Sequence, residues 1–256
     1  MKTRIFGALM LRDAVVAKRD VVGIMIRTML NPLLFTFVFG HVLTRTGVIS
    51  RGYTTMLIPG IAGLSLTMAS IWAVAMPLIA DFGFTKEIED RLLAPVPIEV
   101  IALEKLIAGI LQGAVTAAVT LPLARLIMGP IPGLSLQRLP LLALMVILSG
   151  AVFSAFGLFL GTAMQPQHIS LMMQVIFAPM IMFGCIYYPW RSLDTFPVLK
   201  YLVLINSLVY VSEGLRAAIT PGVPHMPLAA ILAALSAITV LLMWLGMRGF
   251  RRRAIS

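Results

Sequence analysis

The chain has 256 residues, of which 60% are hydrophobic and 12% charged, with a formal net charge of +10. A soluble domain is nearer half apolar and a quarter charged, and the mean hydropathy here is +1.00, so lipid must be the solvent for much of the molecule. The bases sit beside apolar runs and not in a patch interleaved with aromatics, which points to topology and anionic lipid and against nucleic acid.

In chain order, residues 1–20 carry Arg4, Arg12 and Arg19 near one helical face, the pattern of an amphipathic helix in the membrane interface. The basic preamble is longer than that of a cleaved signal peptide, so the following span is expected to stay as an anchor. That first span covers about residues 21–42, with Arg27 near its inner end and Pro32 in its middle. Further spans are expected over 53–80, 98–128, 139–164, 169–188 and 227–247, each at or above the ~20 residues needed to cross. The second and third are long enough to tilt or project. Cys185 is the single cysteine and lies in an apolar run, which excludes an internal disulfide and a CxxC site.

Residues 198–220, VLKYLVLINSLVYVSEGLRAAIT, are apolar enough for a seventh span. Asn206-Ser207 interrupts them, however, and Glu213 and Arg216 follow closely. Six spans put both termini on one side. The inner side then holds Lys2, Arg4, Arg12, Lys18, Arg19, Lys86, Arg91, Lys105 and the four arginines of the tail. The outer side holds Arg45, Arg51, Arg138, Arg191, Lys200 and Arg216, half as many, as the positive-inside rule requires. Residues 198–220 are therefore expected to form an outer re-entrant hairpin of two short helices broken near Asn206. The fold expected is all-α and integral to the membrane, a single transmembrane domain over residues 1–256 with six transmembrane helices and cytoplasmic termini.

Between the second and third spans, KEIEDR packs Lys86, Glu87, Glu89, Asp90 and Arg91 into six positions. The stretch 84–95 reads as a short cytoplasmic helix. Thr85 is placed to cap it, the acids suit its N-terminal end, and Pro95 and Pro97 stop it. Ile88, Leu92 and Phe84 form an apolar ridge by i, i+4 spacing. Such a stiff knob, joined to two long helices, suits transmission of a push from a soluble partner.

Two stretches resemble the permeases of type 2 ABC transporters. EIEDRLLAPVPIEVIALEKLIAGILQG at 87–113 resembles the segment before that family's third span. FAPMIMFGCIYYPWRSLDTFPVLKYLVLINSLVYVSEGLRAAI at 177–219 resembles its fifth span, a YP exit and outer helices with N-P-L-x-Y-x-x-E-x-x-R. Asn206, Leu208, Tyr210, Glu213 and Arg216 match that pattern. Ser207 stands where proline is usual, so a softer helix break is expected. The resemblance covers nearly the whole chain, and relatives of similar size are the membrane subunits of daunorubicin-type and nodulation-factor exporters.

This resemblance implies a prokaryotic plasma-membrane exporter with two permease subunits, identical or homologous, and two copies of an ATPase subunit. ATP and Mg would be bound by that partner, since this sequence has no GxxxxGK[ST] loop. It also implies an ATPase-coupling surface at Phe84, Thr85, Lys86, Glu87, Ile88, Glu89, Asp90, Arg91 and Leu92, and an outer hairpin or gate at Asn206, Tyr210, Glu213 and Arg216. A drug- or lipid-like amphiphile is the expected cargo, with a lipo-oligosaccharide or polysaccharide as the alternative: aromatics are 8% of the chain and methionines number 17. A secondary transporter or channel fits less well, because Asp81, Glu99 and Glu104 avoid span centres. An intramembrane enzyme fits least. HExxH and GxSxG are lacking, and His41, His168 and His225 are far apart.

Overall fold

The helix α1, Tyr53–Ala80, is the axis of the molecule. Gly60, Ala62, Gly63, Ser65, Ala69, Ser70 and Ala75 all lie buried on it. Lipid supplies no hydrophobic drive between membrane helices, so small side chains that allow close backbone approach must hold them together. Helices α2 (Ile98–Met128) and α3 (Leu139–Ala163) pack against α1 and against each other. On α3, Gly157 and Gly161 form a small-xxx-small pair facing α1: a Cβ at Gly157 would lie 2.9 Å from the Ile71 carbonyl oxygen. The structure is a computed structural model that describes residues 37–47, 52–85, 98–129, 135–169 and 173–255, with single positions 23, 26, 30, 34 and 133.

No strand occurs among the described residues. Four helical stretches there are long and apolar enough to cross a membrane: Tyr53–Gly83, Glu99–Met128, Leu136–Ala163 and Leu228–Arg253. The molecule is thus an all-α, multi-pass membrane protein. The interfacial helix expected over 1–20 lies outside the described residues, as does most of the span 21–42. At the positions described there, Ile26, Leu30, Leu34 and Phe37 are at least half exposed and share one helical face, as a lipid-facing stripe does.

The stretch expected to cross at 169–188 is not one continuous helix. A π turn, Met173–Phe177, leads into the short helix α4, Ala178–Met182. Irregular chain follows to Pro189, for a local reason. Cys185 has φ +52°, outside the helical region, and Gly184 packs so tightly that a Cβ there would lie 2.6 Å from Leu208 Cδ2.

Helix α5, Pro197–Leu202, continues as a single 3-10 turn to Ile205, and α6 spans Ser207–Ile219. The two helical pieces meet at 98°. The break falls at Asn206, and it is sharp despite the serine at 207. The last helix, α7, runs Leu228–Ile255, eight residues beyond the expected end, so it carries the arginine tail as ordered helix. It lies along α3 and leaves Val240, Leu241 and Trp244 exposed on its far side.

Candidate functional site

Asn206 makes the elbow by its side chain. Its φ of −84° and ψ of 113° are extended, and its Oδ1 accepts from the Leu208 N–H at 3.0 Å, an N-cap on α6. Its Nδ2 donates to the Met180 carbonyl at 2.8 Å, which ties the elbow to α4. Tyr210, one turn on, donates to the Leu204 carbonyl at 2.9 Å and braces the other arm. Both polar residues thus satisfy backbone groups that a broken helix leaves open, as apolar surroundings demand.

Glu213 and Arg216 lie at the centre of this end of the bundle, both with no exposed surface. Arg216 Nη1 donates to Glu213 Oε1 in an i, i+3 ion pair. The carboxylate accepts twice more, from the Trp190 N–H at 3.0 Å and from the Met226 N–H at 2.8 Å. Arg216 Nη2 donates to the Cys185 carbonyl at 2.9 Å and more weakly to that of Met56 at 3.4 Å. One pair of side chains therefore joins five pieces of chain: α1, the irregular stretch after α4, the turn at Trp190, α6 and the α6–α7 link. A buried ion pair needs such further partners, and here both carboxylate oxygens and Arg216 Nη2 have them, while the buried Arg216 Nε has none among the described residues. The left-handed residue Cys185 supplies one of those acceptors. Close approach assists: a Cβ at Gly60 would lie 2.1 Å from the Ile186 carbonyl oxygen, so only glycine lets α1 reach this chain.

Around this junction stand residues with no motif signal. Arg138, before α3, donates to the Ala217 carbonyl at 3.1 Å. Trp190 Nε1 donates to the Lys200 carbonyl at 3.0 Å, while Lys200 Nζ sits 4.3 Å from the Trp190 ring centroid and 2.6 Å from Asp194. Between α3, α4 and the bent hairpin opens an apolar cleft of about 410 Å³, lined by Phe153, Phe156, Ile176, Met180, Phe183 and the Asn206 elbow among others.

At the opposite end, α1 runs into a π turn, Asp81–Thr85, whose last two residues are Phe84 and Thr85. Lys86, Glu87, Ile88, Glu89, Asp90, Arg91 and Leu92 lie outside the described residues. The structure sets Asn206 and Tyr210 at the elbow and the Glu213–Arg216 pair further along α6, with separate partners, and sets Phe84 and Thr85 at the far end of α1. No group of three or more His, Cys, Asp or Glu that could hold a metal occurs among the described residues.

A bundle of apolar helices, with a bent hairpin at one end and a turn leading out of α1 at the other, defines a polytopic membrane protein. The sequence profile of the ABC-2 type transporter family matches residues 4–220, and the chain belongs to that family. It is a permease component of an ABC transporter, and an ABC ATPase partner goes with membership in general. A comparison with curated proteins finds no match.

Proposed function

We propose that this chain is the membrane subunit of an ATP-driven exporter that carries a drug- or lipid-like amphiphile out across a prokaryotic plasma membrane. Both termini would be cytoplasmic, and a second permease, identical or homologous, would complete the path beside two ATPase copies. The observation that carries the substrate reading is the apolar cleft of about 410 Å³ beside the Asn206 elbow. Its size falls within the range of small-molecule pockets, and a mostly apolar wall with few polar groups is how such sites combine affinity with orientation. Met180 on that wall is adaptable enough for mixed cargo.

Energy would enter through residues 84–92. Ile88 and Leu92 would fill a groove on the ATPase, and Glu87, Glu89, Asp90 and Arg91 would orient it as a polar rim. The Glu213–Arg216 junction supports a structural role over a gate, since it is fully buried and ties five segments at once.

The test is reconstitution with the ATPase subunit in proteoliposomes. Uptake of an apolar fluorescent amphiphile into inverted vesicles should depend on MgATP, and Met180→Trp, which fills the cleft, should reduce it. A Glu87→Lys, Asp90→Lys chain should remain in the membrane yet lose ATPase retention or turnover. Uptake of lipid-linked sugars in place of the amphiphile would overturn the substrate reading. Unchanged turnover in the charge reversal would overturn the coupling reading.

A further inference from the structure

The tail RGFRRR enters the topology argument only through its charge, yet in the structure it makes specific contacts. Gly246 and Gly249 seat α7 against α3: a Cβ at Gly249 would lie 2.7 Å from Thr162 Oγ1. Phe250 is fully buried, and its ring meets that of Phe82 edge-on at 5.6 Å. Arg253 reaches across the end of α3. Its Nη1 donates to the carbonyls of Met164 at 2.8 Å, Thr162 at 3.2 Å and Gly161 at 3.5 Å. Its guanidinium also stands 4.9 Å from the Phe82 ring centroid.

These contacts have a common physical sense. The last carbonyls of a helix are open acceptors at the negative end of its dipole, and a cation there meets both needs. A single guanidinium nitrogen here meets three carbonyls, and the planar face of the group suits an aromatic ring. Phe82 lies in the π turn Asp81–Thr85, the last described turn before residues 86–97. After them, Glu99 near the start of α2 accepts from Arg251 at 2.5 Å. That pair is about half exposed on both sides and therefore weak. Arg253 is the stronger tie.

We propose that Arg253 is a positioning residue for energy coupling. By locking α7 to the end of α3 and to Phe82, it fixes the direction in which the chain leaves α1 toward the ATPase-facing segment. This role rests on the coupling function proposed above.

The full chain, co-purified with its ATPase subunit and reconstituted, is assayed for phosphate release from MgATP per complex. Arg253→Ala should insert at the wild-type level and keep the ATPase, while turnover per complex falls about tenfold, within the usual range of coupling between sites. Arg253→Lys, which keeps the cation and one carbonyl contact, should recover much of it. In a Cys185→Ala background, a short bifunctional thiol linker between Phe82→Cys and Phe250→Cys should restore turnover to Arg253→Ala. Normal turnover per complex in Arg253→Ala overturns the proposal. So does a loss that neither lysine nor the linker repairs, because that pattern marks a residue needed only for folding. A wild-type chain that retains no ATPase overturns the coupling function itself, and this role with it.

Discussion

Glu213 and Arg216 show how a buried charge is made tolerable. Each is wholly buried, and the carboxylate accepts from one guanidinium and two backbone N–H groups. Removing one partner strands the other, which costs about 3–5 kcal/mol in comparable buried pairs. Glu213→Ala and Arg216→Ala should each lower the thermal midpoint of the detergent-solubilised protein severely. Joint replacement by Leu and Met should lose less than either, and equal losses would remove the ion pair from the explanation. Cys185 makes a second test. At φ +52° a residue without a Cβ is at ease and a β-branched one is not. Cys185→Gly should melt near the wild type, relief of left-handed strain offsetting the lost buried thiol, while Cys185→Val, β-branched at the same φ, should melt below it. The i, i+3 spacing of Glu213 and Arg216 is visible in the sequence. Their other partners are not, because the Trp190 and Met226 amides and the Cys185 carbonyl are backbone groups that any residue type carries.

Among the elements, the hairpin was legible as two helices broken near Asn206, and the structure breaks there. Its sharpness was not legible, since the missing proline argues for a softer bend than the 98° observed. The Asn206 side chain does what a proline ring would otherwise do. Proline would nonetheless fit. Ser207 is the first residue of α6, where proline's missing N–H is harmless, and Asn206 already has the extended conformation that precedes proline. Ser207→Pro should therefore raise stability by about 0.4–1 kcal/mol through the unfolded chain. Asn206→Ala, which loses the cap and the bond to Met180, should cost about 1–2 kcal/mol. Thermal melts of the two single variants decide this, and a destabilised Ser207→Pro would show that the elbow is set by tertiary packing alone. The stretch 169–188 was legible in its composition and not in its shape. Its composition is that of a span, while its irregular end depends on a turn at Cys185 and on close packing by α1 and α6, which hydropathy does not register.

For the molecule as a whole, side assignment is the open quantity that one measurement settles. Val198 is 83% exposed, and a side chain at Gly222 would meet open space. In a Cys185→Ala background, Val198→Cys and Gly222→Cys should both react with a membrane-impermeant maleimide added to intact cells. Reaction of either only after permeabilisation would overturn the hairpin's outward placement. The long spans were legible end to end, because α1, α2 and α3 follow runs of apolar residues bounded by charge, glycine or proline. Their mutual packing was not, since Gly157 against Ile71 is a matter of which helix lies beside which.

Arg216 touches α1 near its start at Met56 and the π turn extends from its other end at Ala80, so under the coupling proposed above α1 would act as a lever held near one end and loaded at the other. Its 28 residues make an arm of about 42 Å at 1.5 Å per residue. A tilt of about 5° around the pinned end therefore sweeps the far tip sideways by about 4 Å. Under that proposal a modest stroke at the tip would be geared down to a small rotation beside the hairpin, with force gained in proportion to the distance given up.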